Sequence, residues 1–177
     1  IASGGNYNTV VGDEAGTALT VGDESVAVGF EALMTVTSGA ENVGIGYRAL
    51  KLTTGNSNVA VGKNALATNS SASNNTAVGT SALTANTTAS NNTAVGTSAL
   101  TANTTGDLNT AIGANALKTN TVSDRNVAVG FGSLEDHNLS SNADGYNTAV
   151  GFDAGHAVTT GIRNTLIGGL SGDAITT

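Results

Sequence analysis

The sequence contains no cysteine, no proline and no tryptophan, and only 3% of its residues are aromatic. The absence of cysteine excludes a disulfide framework and any thiolate metal site. The absence of proline suits a chain whose backbone N–H groups are needed for a hydrogen-bonded ladder. Because large aromatic side chains are the usual way to fill a thick core, we expect a thin interior built from Val, Ile, Leu and Ala.

Basic residues are also scarce. Six Lys and Arg stand against 13 Asp and Glu, which gives a formal net charge of −7. Nucleic acids and anionic membranes both require a basic surface, so we predict neither as a partner. No apolar stretch approaches the roughly 18–20 residues that span a bilayer, which predicts no membrane insertion in this segment.

A short repeated phrase dominates the sequence: Asn or Ser, two small or β-branched residues, Val or Ile, and Gly. It occurs ten times, at intervals of 16 or 17 residues except for one interval of 21. A period this short and regular is typical of a solenoid. We therefore predict one all-β domain over residues 1–177, a parallel β-solenoid (β-roll) of about ten 16–17-residue coils. Its repeats end at Gly12, Gly29, Gly46, Gly62, Gly79, Gly96, Gly113, Gly130, Gly151 and Gly168.

Strand alternation divides the repeated residues between two faces. In one repeat, Thr76 and Val78 share a face and Ala77 lies on the other. We expect the face with Val or Ile to fill the coil, and Gly79 to make the bend that follows where a Cβ would obstruct it. The predicted coil core consists of Val28, Ile45, Val61, Val78, Val95, Ile112, Val129, Val150 and Ile167.

The opposite face carries only alanine or glycine in the eight central repeats. A column of small side chains allows another chain to approach closely. A thin coil buries little apolar surface, while ordering each residue costs about 1–2 kcal/mol of backbone entropy. We therefore expect three copies to pack as a homotrimer around a common axis. The predicted trimer face consists of Ala27, Gly44, Ala60, Ala77, Ala94, Ala111, Ala128 and Ala149.

Two further columns accompany the phrase. Ala-Leu pairs such as Ala82-Leu83 follow the glycine and predict a short second strand with leucine directed inward. Asparagines such as Asn58 and Asn75 recur at the start of the phrase, where stacked amides can hydrogen-bond to the copies above and below. We assign these asparagines a structural role.

The phrase [N/S]-[T/V]-A-[V/I]-G, with a small residue three positions later, resembles the head repeats of YadA-like trimeric autotransporter adhesins. The longer form, with Ala-Leu and a trailing Asn-Thr-Thr-Gly at residues 103–106, resembles repeats of bacteriophage tail fibres. The resemblance covers residues 8–172. It implies a left-handed trimeric β-roll, a virion or bacterial cell-surface location, and a host glycan or protein as partner. We expect the chain to be a segment of a longer fibre.

The irregular interval between Gly130 and Gly151 predicts an insertion loop at about residues 131–146. Insertions in solenoids bulge outward and commonly carry recognition. A carbohydrate contact, a bound Ca²⁺ and an ordinary solvated loop are the alternatives here. The candidate recognition residues are Glu135, Asp136, His137, Asn138, Asp144 and Tyr146.

Other acidic residues gather near the beginning of the chain, and the second histidine stands apart from the insertion. Stacked acids repel one another unless solvent or a cation screens them, so an exposed acidic edge and a cation site are the alternatives. We expect His156 to be exposed without a functional role. The acids concerned are Asp13, Glu14, Asp23 and Glu24.

The leading hypothesis is a non-enzymatic structural and adhesive fibre segment without a cofactor, from a phage tail fibre, which presents a host-recognition surface. A bacterial adhesin head is the alternative. A polysaccharide depolymerase would need two carboxylates, such as Asp136 and Asp144, roughly 5–10 Å apart in a cleft. No flanking aromatic platform for a sugar is evident. We discount an ice-binding threonine array because Thr76, Thr93 and Thr110 are expected to face inward.

Overall fold

The computed structural model describes residues 5–177, so the first four residues of the predicted domain lie outside it. Strands of three residues are the regular elements of this part of the chain, all parallel in one sheet in sequence order. We number the coils by their strands, and each coil begins at the residue before its strand. The strands are β1 (Thr9–Val11), β2 (Val26–Val28), β3 (Val43–Ile45), β4 (Val59–Val61), β5 (Thr76–Val78), β6 (Thr93–Val95), β7 (Thr110–Ile112), β8 (Val127–Val129), β9 (Thr148–Val150) and β10 (Thr165–Ile167).

Each strand pairs with the equivalent residues of the next strand, so the repeated phrase stacks on itself. In β5 and β6, Ala77 lies opposite Ala94. The register holds across the 21-residue interval, where Ala128 of β8 lies opposite Ala149 of β9. The predicted parallel β-solenoid with a spacing of about 17 residues is confirmed.

The two faces of the strands are reversed relative to the prediction. From β2 to β9 the middle residue of each strand is buried inside the coil. The third residue points outward, and its exposed fraction is 36% at Val78 and 41% at Ile112. The predicted coil core is therefore wrong at Val28, Ile45, Val61, Val78, Val95, Ile112, Val129, Val150 and Ile167. The predicted trimer face is wrong as well, because Ala27, Gly44, Ala60, Ala77, Ala94, Ala111, Ala128 and Ala149 line the interior of a single chain.

From β2 to β9 the interior is too narrow for a branched side chain at the middle position of a strand. Val10 of β1 and Leu166 of β10 pack against the core beside Gly16 and Gly172. Leucine from the Ala-Leu pair occupies the space that faces the strand, and a Cβ on Gly44 would lie 3.2 Å from Cγ of Leu33. Leucine thus supplies the interior volume, and the strand contributes no more than a methyl group. Alternation divided the residues correctly between two faces but could not tell which face is inside.

The Ala-Leu pairs form turns, so the predicted second strand is wrong. The N–H of Ala82 donates to the carbonyl of Gly79 at 3.3 Å, and that of Leu83 donates to Ala99 of the next coil at 3.1 Å. Leu83 is fully buried, as its predicted inward direction requires, but its φ of 51° is left-handed. A leucine pays a steric cost at positive φ. Burial of its side chain offsets that cost in every regular coil.

Gly79 ends its strand where only glycine fits. Its φ is +134°, and a Cβ added to it would lie 2.6 Å from the carbonyl oxygen of Gly96 in the next coil. The prediction that a Cβ would obstruct this bend is confirmed. The same close approach recurs from coil to coil, which explains why the last residue of the repeated phrase is always glycine.

Two asparagine ladders run inside the solenoid. In the predicted ladder, Nδ2 of Asn75 donates to Oδ1 of Asn58 at 3.3 Å and to the carbonyl of Ala89 at 2.9 Å. A second ladder, which sequence reasoning missed among the polar turn residues, joins Nδ2 of Asn86 to Oδ1 of Asn69 at 2.9 Å. Both ladders satisfy polar groups that the thin interior would otherwise leave unpaired.

Candidate functional site

The first and third residues of the ten strands form one continuous surface, which we call the outer strand face. Every first residue is Thr or Val and every third residue is Val or Ile, so the face is methyl-rich and carries no charge. All of these residues are exposed or half-buried. At about 4.8 Å per strand and 3.3 Å per residue, the ten three-residue strands measure roughly 45 Å by 10 Å, or about 450 Å². That area is within the range of the largest apolar patches on soluble monomers, about 300–600 Å², which often mark functional sites.

Two stacked aromatic pairs follow the strands at separate levels of the solenoid. The ring centroids of Phe30 and Tyr47 are 5.4 Å apart, and those of Phe131 and Phe152 are 5.5 Å apart. All four rings are exposed, and Arg48 lies 4.9 Å from the centroid of Tyr47. The amino-acid sequence shows no aromatic platform, because the two partners of each pair are separated by a whole coil. Only the stacking of coils brings them together.

The threonine column also points outward, which removes the stated reason for discounting an ice-binding array. Thr76, Thr93 and Thr110 are half-buried on the outer strand face. The third strand position of the same coils is Val or Ile and adds no hydroxyl. The threonines therefore form a single column beside an aliphatic one.

The structure separates the candidate recognition residues of the insertion loop. Asp144 forms an ion pair with Arg125, whose guanidinium lies 5.9 Å from the ring centroid of Tyr146. Tyr146 and Asp136 are exposed. These three candidates reach solvent, as a recognition role requires.

Glu135 and Asn138 are held by neighbouring residues of coil 7. Oε1 of Glu135 lies 3.0 Å from Nζ of Lys118. Oδ1 of Asn138 accepts hydrogen bonds from the backbone N–H of Thr121 at 3.1 Å and from its hydroxyl at 2.7 Å. Both candidates therefore tie the insertion to the coil before it.

His137 is fully buried, so its assignment as an exposed recognition residue is wrong. Its Nε2 lies 3.2 Å from Oγ of Ser123 and 3.5 Å from Nδ2 of Asn147. Burial lowers the pKa of His137 to about 4, against a smaller opposing effect of the Thr159 backbone. The imidazole is therefore neutral at physiological pH.

His156, predicted to be exposed, is partly enclosed by three carboxylates. Its Nδ1 lies 3.9 Å from Oε2 of Glu135 and 3.9 Å from Oδ1 of Asp153, and its Nε2 lies 3.9 Å from Oδ2 of Asp136. A protonated imidazole would pair with this cluster. Among residues 5–177, no group of three or more His, Asp or Glu side chains has a geometry that could hold a metal ion.

A second acidic column runs along the side of coils 6–8. The backbone N–H of Asp107 donates to Oδ1 of Asp124 at 2.7 Å. Burial raises the pKa of Asp124, and the charges of Asp107 and Asp144 raise it further against the lowering effects of that hydrogen bond and of Arg125. These carboxylates serve as acceptors between coils.

Of the four acids near the beginning of the chain, Asp13, Glu14 and Glu24 are exposed. The fourth, Asp23, is half-buried, and its Oδ1 accepts a hydrogen bond from the N–H of Asn6 at 2.6 Å. The four acids therefore form an exposed edge, in which Asp23 accepts a hydrogen bond from a residue one repeat earlier.

Comparison of the chain with protein-family models, curated proteins and solved structures gave no match. The described residues include no helix that is long and apolar enough to cross a membrane. Two features remain as candidates for function, the outer strand face and the insertion of coil 8.

Proposed function

We propose that this chain is a structural and adhesive segment of a homotrimeric surface fibre. The observation that carries the proposal is the outer strand face, which stays uncharged and methyl-rich across all ten strands. An apolar patch of this size on a soluble protein often marks an interaction site. A sheet face without charge gains stability when another apolar surface covers it.

A second copy of the chain is the partner that this face fits. Each copy carries the same long, narrow strip, so parallel copies can cover one another along their whole length. The strip of about 450 Å² is somewhat more than half of the roughly 800 Å² per partner of a standard protein interface. The number three rests on the resemblance to trimeric adhesin and fibre repeats. We therefore propose that the copies contact one another through the outer strand face, and not through the alanine column that the sequence suggested.

The mass of the protein in solution tests the proposal. Native mass spectrometry should give three times the 17.2 kDa of the single chain. Val78→Asp should yield folded monomers, because Val78 points outward and a charge on this face opposes association. Thr88→Asp, at an exposed turn of the same coil, is the matched control and should stay trimeric. A wild-type monomer at micromolar concentration would overturn the proposal.

For the biological setting we propose a phage tail fibre that contacts a host glycan or protein, with a virion location. The longer form of the repeat, with Ala-Leu and a trailing Asn-Thr-Thr-Gly, supports a tail fibre because it resembles repeats of bacteriophage tail fibres. Purified protein should bind whole bacterial cells, and removal of surface polysaccharide or protein from those cells identifies the receptor class. Binding only to matrix proteins or animal cells would favour the alternative, a bacterial adhesin head on the cell surface.

The role we propose is non-enzymatic. The carboxylates suggested for a depolymerase each have a basic partner, Arg125 for Asp144 and His156 near Asp136. Incubation of the protein with host polysaccharide should release no new reducing ends. Measurable release would overturn this part of the proposal.

A further inference from the structure

The interior of coil 8 contains a histidine where the four preceding coils have asparagine. Asn120 donates to Asn103 at 3.2 Å in the second ladder, and His137 follows Asn120 by one repeat. The backbone is equivalent at the two positions, because each N–H donates at 3.2 Å to the leucine carbonyl three residues earlier. The ladder therefore ends on a titratable group that is fully buried.

Hydrogen-bond geometry selects one protonation state of this imidazole. Both hydrogens of Asn147 Nδ2 are donated elsewhere, to Oδ1 of Asn126 at 3.2 Å and to the carbonyl of Gly161 at 2.9 Å, so this donor group only faces Nε2 of His137 at 3.5 Å. Oγ of Ser123, 3.2 Å from the same Nε2, already accepts from Nδ2 of Asn126 at 2.9 Å and has its own proton to give. A proton on Nε2 would oppose these donors. Nδ1 is buried without a hydrogen-bond partner.

No carboxylate stabilises a positive charge at this position. On the coil 8 side, Glu135 pairs with Lys118, and Asp136 lies beside His156 on the surface. On the coil 7 side, Oδ1 of Asp124 accepts from the backbone of Asp107, as described above. On the coil 9 side the equivalent position is the buried and apolar Val158, and Asp144 of the insertion pairs with Arg125.

The segment that follows His137 is attached at its two ends. At the first end, the N–H of Asn138 donates to the carbonyl of Thr159 at 2.8 Å, and its Oδ1 accepts from Thr121. At the second end, the N–H of Asp124 donates to Ala143 at 3.0 Å, that of Gly145 donates to Asp124 at 2.9 Å, that of Arg163 donates to Gly145 at 2.7 Å, and Arg125 pairs with Asp144. The residues at positions 140–143 are exposed. Local opening of so small a unit requires much less free energy than unstacking the solenoid.

We propose that the insertion of coil 8 is an acid-opened loop, in which protonation of the buried His137 releases residues 138–146 while the neighbouring coils stay stacked. The released segment carries Asp144 and Tyr146, so opening would change the surface that the insertion presents. The proposal does not depend on the trimer or on the receptor.

Hydrogen exchange of the full chain, read by mass spectrometry at pH 7.5 and 5.0, tests this proposal. With the histidine titrating near 6.5 when exposed and near 4 when buried, opening at pH 5.0 should be about 30-fold more favourable than at neutral pH. After correction for intrinsic rates, peptides covering 137–146 should exchange faster by this factor, and peptides of coils 4–6 should not.

His137→Asn is the matched control, because it restores the asparagine of the preceding coils and should abolish the pH effect. Equal acceleration in this variant, no acceleration in the wild type, or equal acceleration of all coils would each overturn the proposal. A titration of the wild-type ring by NMR provides a measurement that needs no folded variant, with His156→Gln used to assign the two histidines. A ring of His137 that titrates near 6.5 in the folded protein would also overturn it.

Discussion

Ala77 and Val78 are neighbours in one strand, yet Ala77 is fully buried inside the coil and Val78 is 36% exposed on the outer strand face. The smaller side chain lies inside because leucine already occupies the interior. The larger one lies outside, where ten equivalent residues form a continuous apolar column. This orientation leaves a thin core and an uncovered face in the same element.

Enlarging the buried residue should destabilise the coil. Ala77→Leu adds three heavy atoms against an interior filled by leucine, and overpacking of this kind costs about 1–3 kcal/mol. Ala85→Leu, at a half-buried turn position of the same coil, is the control and should change stability by less than about 0.5 kcal/mol. Urea unfolding followed by circular dichroism measures both. If the two variants have equal midpoints, the interior assignment of the alanine column is wrong.

The period of the repeat was sufficient to predict the parallel solenoid, because residues that recur at a constant interval must stack in register. It could not predict the orientation of the strands. A three-residue strand with Val or Thr on one face and Ala on the other is compatible with either face inside. The deciding quantity is the volume that Leu83 contributes from a turn, and its left-handed backbone gives no signal in the sequence.

The candidate site, too, could be predicted from the sequence only in part. Asp136, Asp144 and Tyr146 reach the surface as the insertion predicted. His137 does not, because the chain stays in register with the preceding coils through that residue and departs only afterwards. A comparison of His137 with Asn120, one repeat earlier, is the sequence signal that indicates its burial. The stacked pair Phe131 and Phe152 had no such signal, since coil stacking alone joins them.

Loss of one ladder amide should be costly. Asn92 is fully buried, its Nδ2 donates to the carbonyl of Gly106 at 2.9 Å, and its Oδ1 accepts from the N–H of Asn109 at 2.8 Å. Asn92→Ala leaves the buried N–H of Asn109 unpaired, at about 1–3 kcal/mol, whereas the carbonyl of Gly106 keeps Nδ2 of Asn103 as a donor at 3.0 Å. We expect a loss of about 1–3 kcal/mol in urea unfolding. Asn142→Ala, in the exposed part of the insertion, should have no measurable effect, and equal losses would contradict the ladder's role.

Asp124→Asn should stabilise the solenoid at neutral pH. Burial and the charges of Asp107 and Asp144 raise the pKa of Asp124, so its contribution to stability is complete at low pH and is lost as the pH rises through the folded pKa. An amide can replace this acceptor, because Asn56 in the same column accepts from the N–H of Ala40 at 2.9 Å. We expect a gain of less than about 1 kcal/mol at pH 7 and none at pH 3.

Urea midpoints at the two pH values measure the effect of Asp124→Asn. Asp13→Asn, which removes the same charge from an exposed position, is the control for a general change in net charge. An equal gain from both variants would assign the effect to net charge. A lower midpoint for Asp124→Asn at pH 7 would show that the ionised carboxylate stabilises the column.

Deletion of residues 139–142 should restore a coil of ordinary length without unstacking the solenoid. The interval from Gly130 to Gly151 exceeds the usual one by four residues, and positions 140–142 are exposed. Loop-closure entropy changes little with a change of this size, so we expect the free energy of unfolding to stay within about 1 kcal/mol of the wild type. Deletion of residues 84–87 is the control of equal length. It removes the buried Asn86, whose Oδ1 accepts from Nδ2 of Asn103 at 3.1 Å, and it shortens a regular coil.

The two deletions should therefore have opposite outcomes. The first should keep the circular dichroism spectrum and the mass in solution, and the second should lose stability by several kcal/mol because a buried amide is removed and a coil is left too short to stack. If the first deletion unfolds the protein as well, residues 139–142 belong to the coil and the insertion is structural. If it leaves the fold intact and abolishes binding to host cells, the insertion carries the receptor contact, because Asp136 and Tyr146 remain in the chain but lose the loop between them.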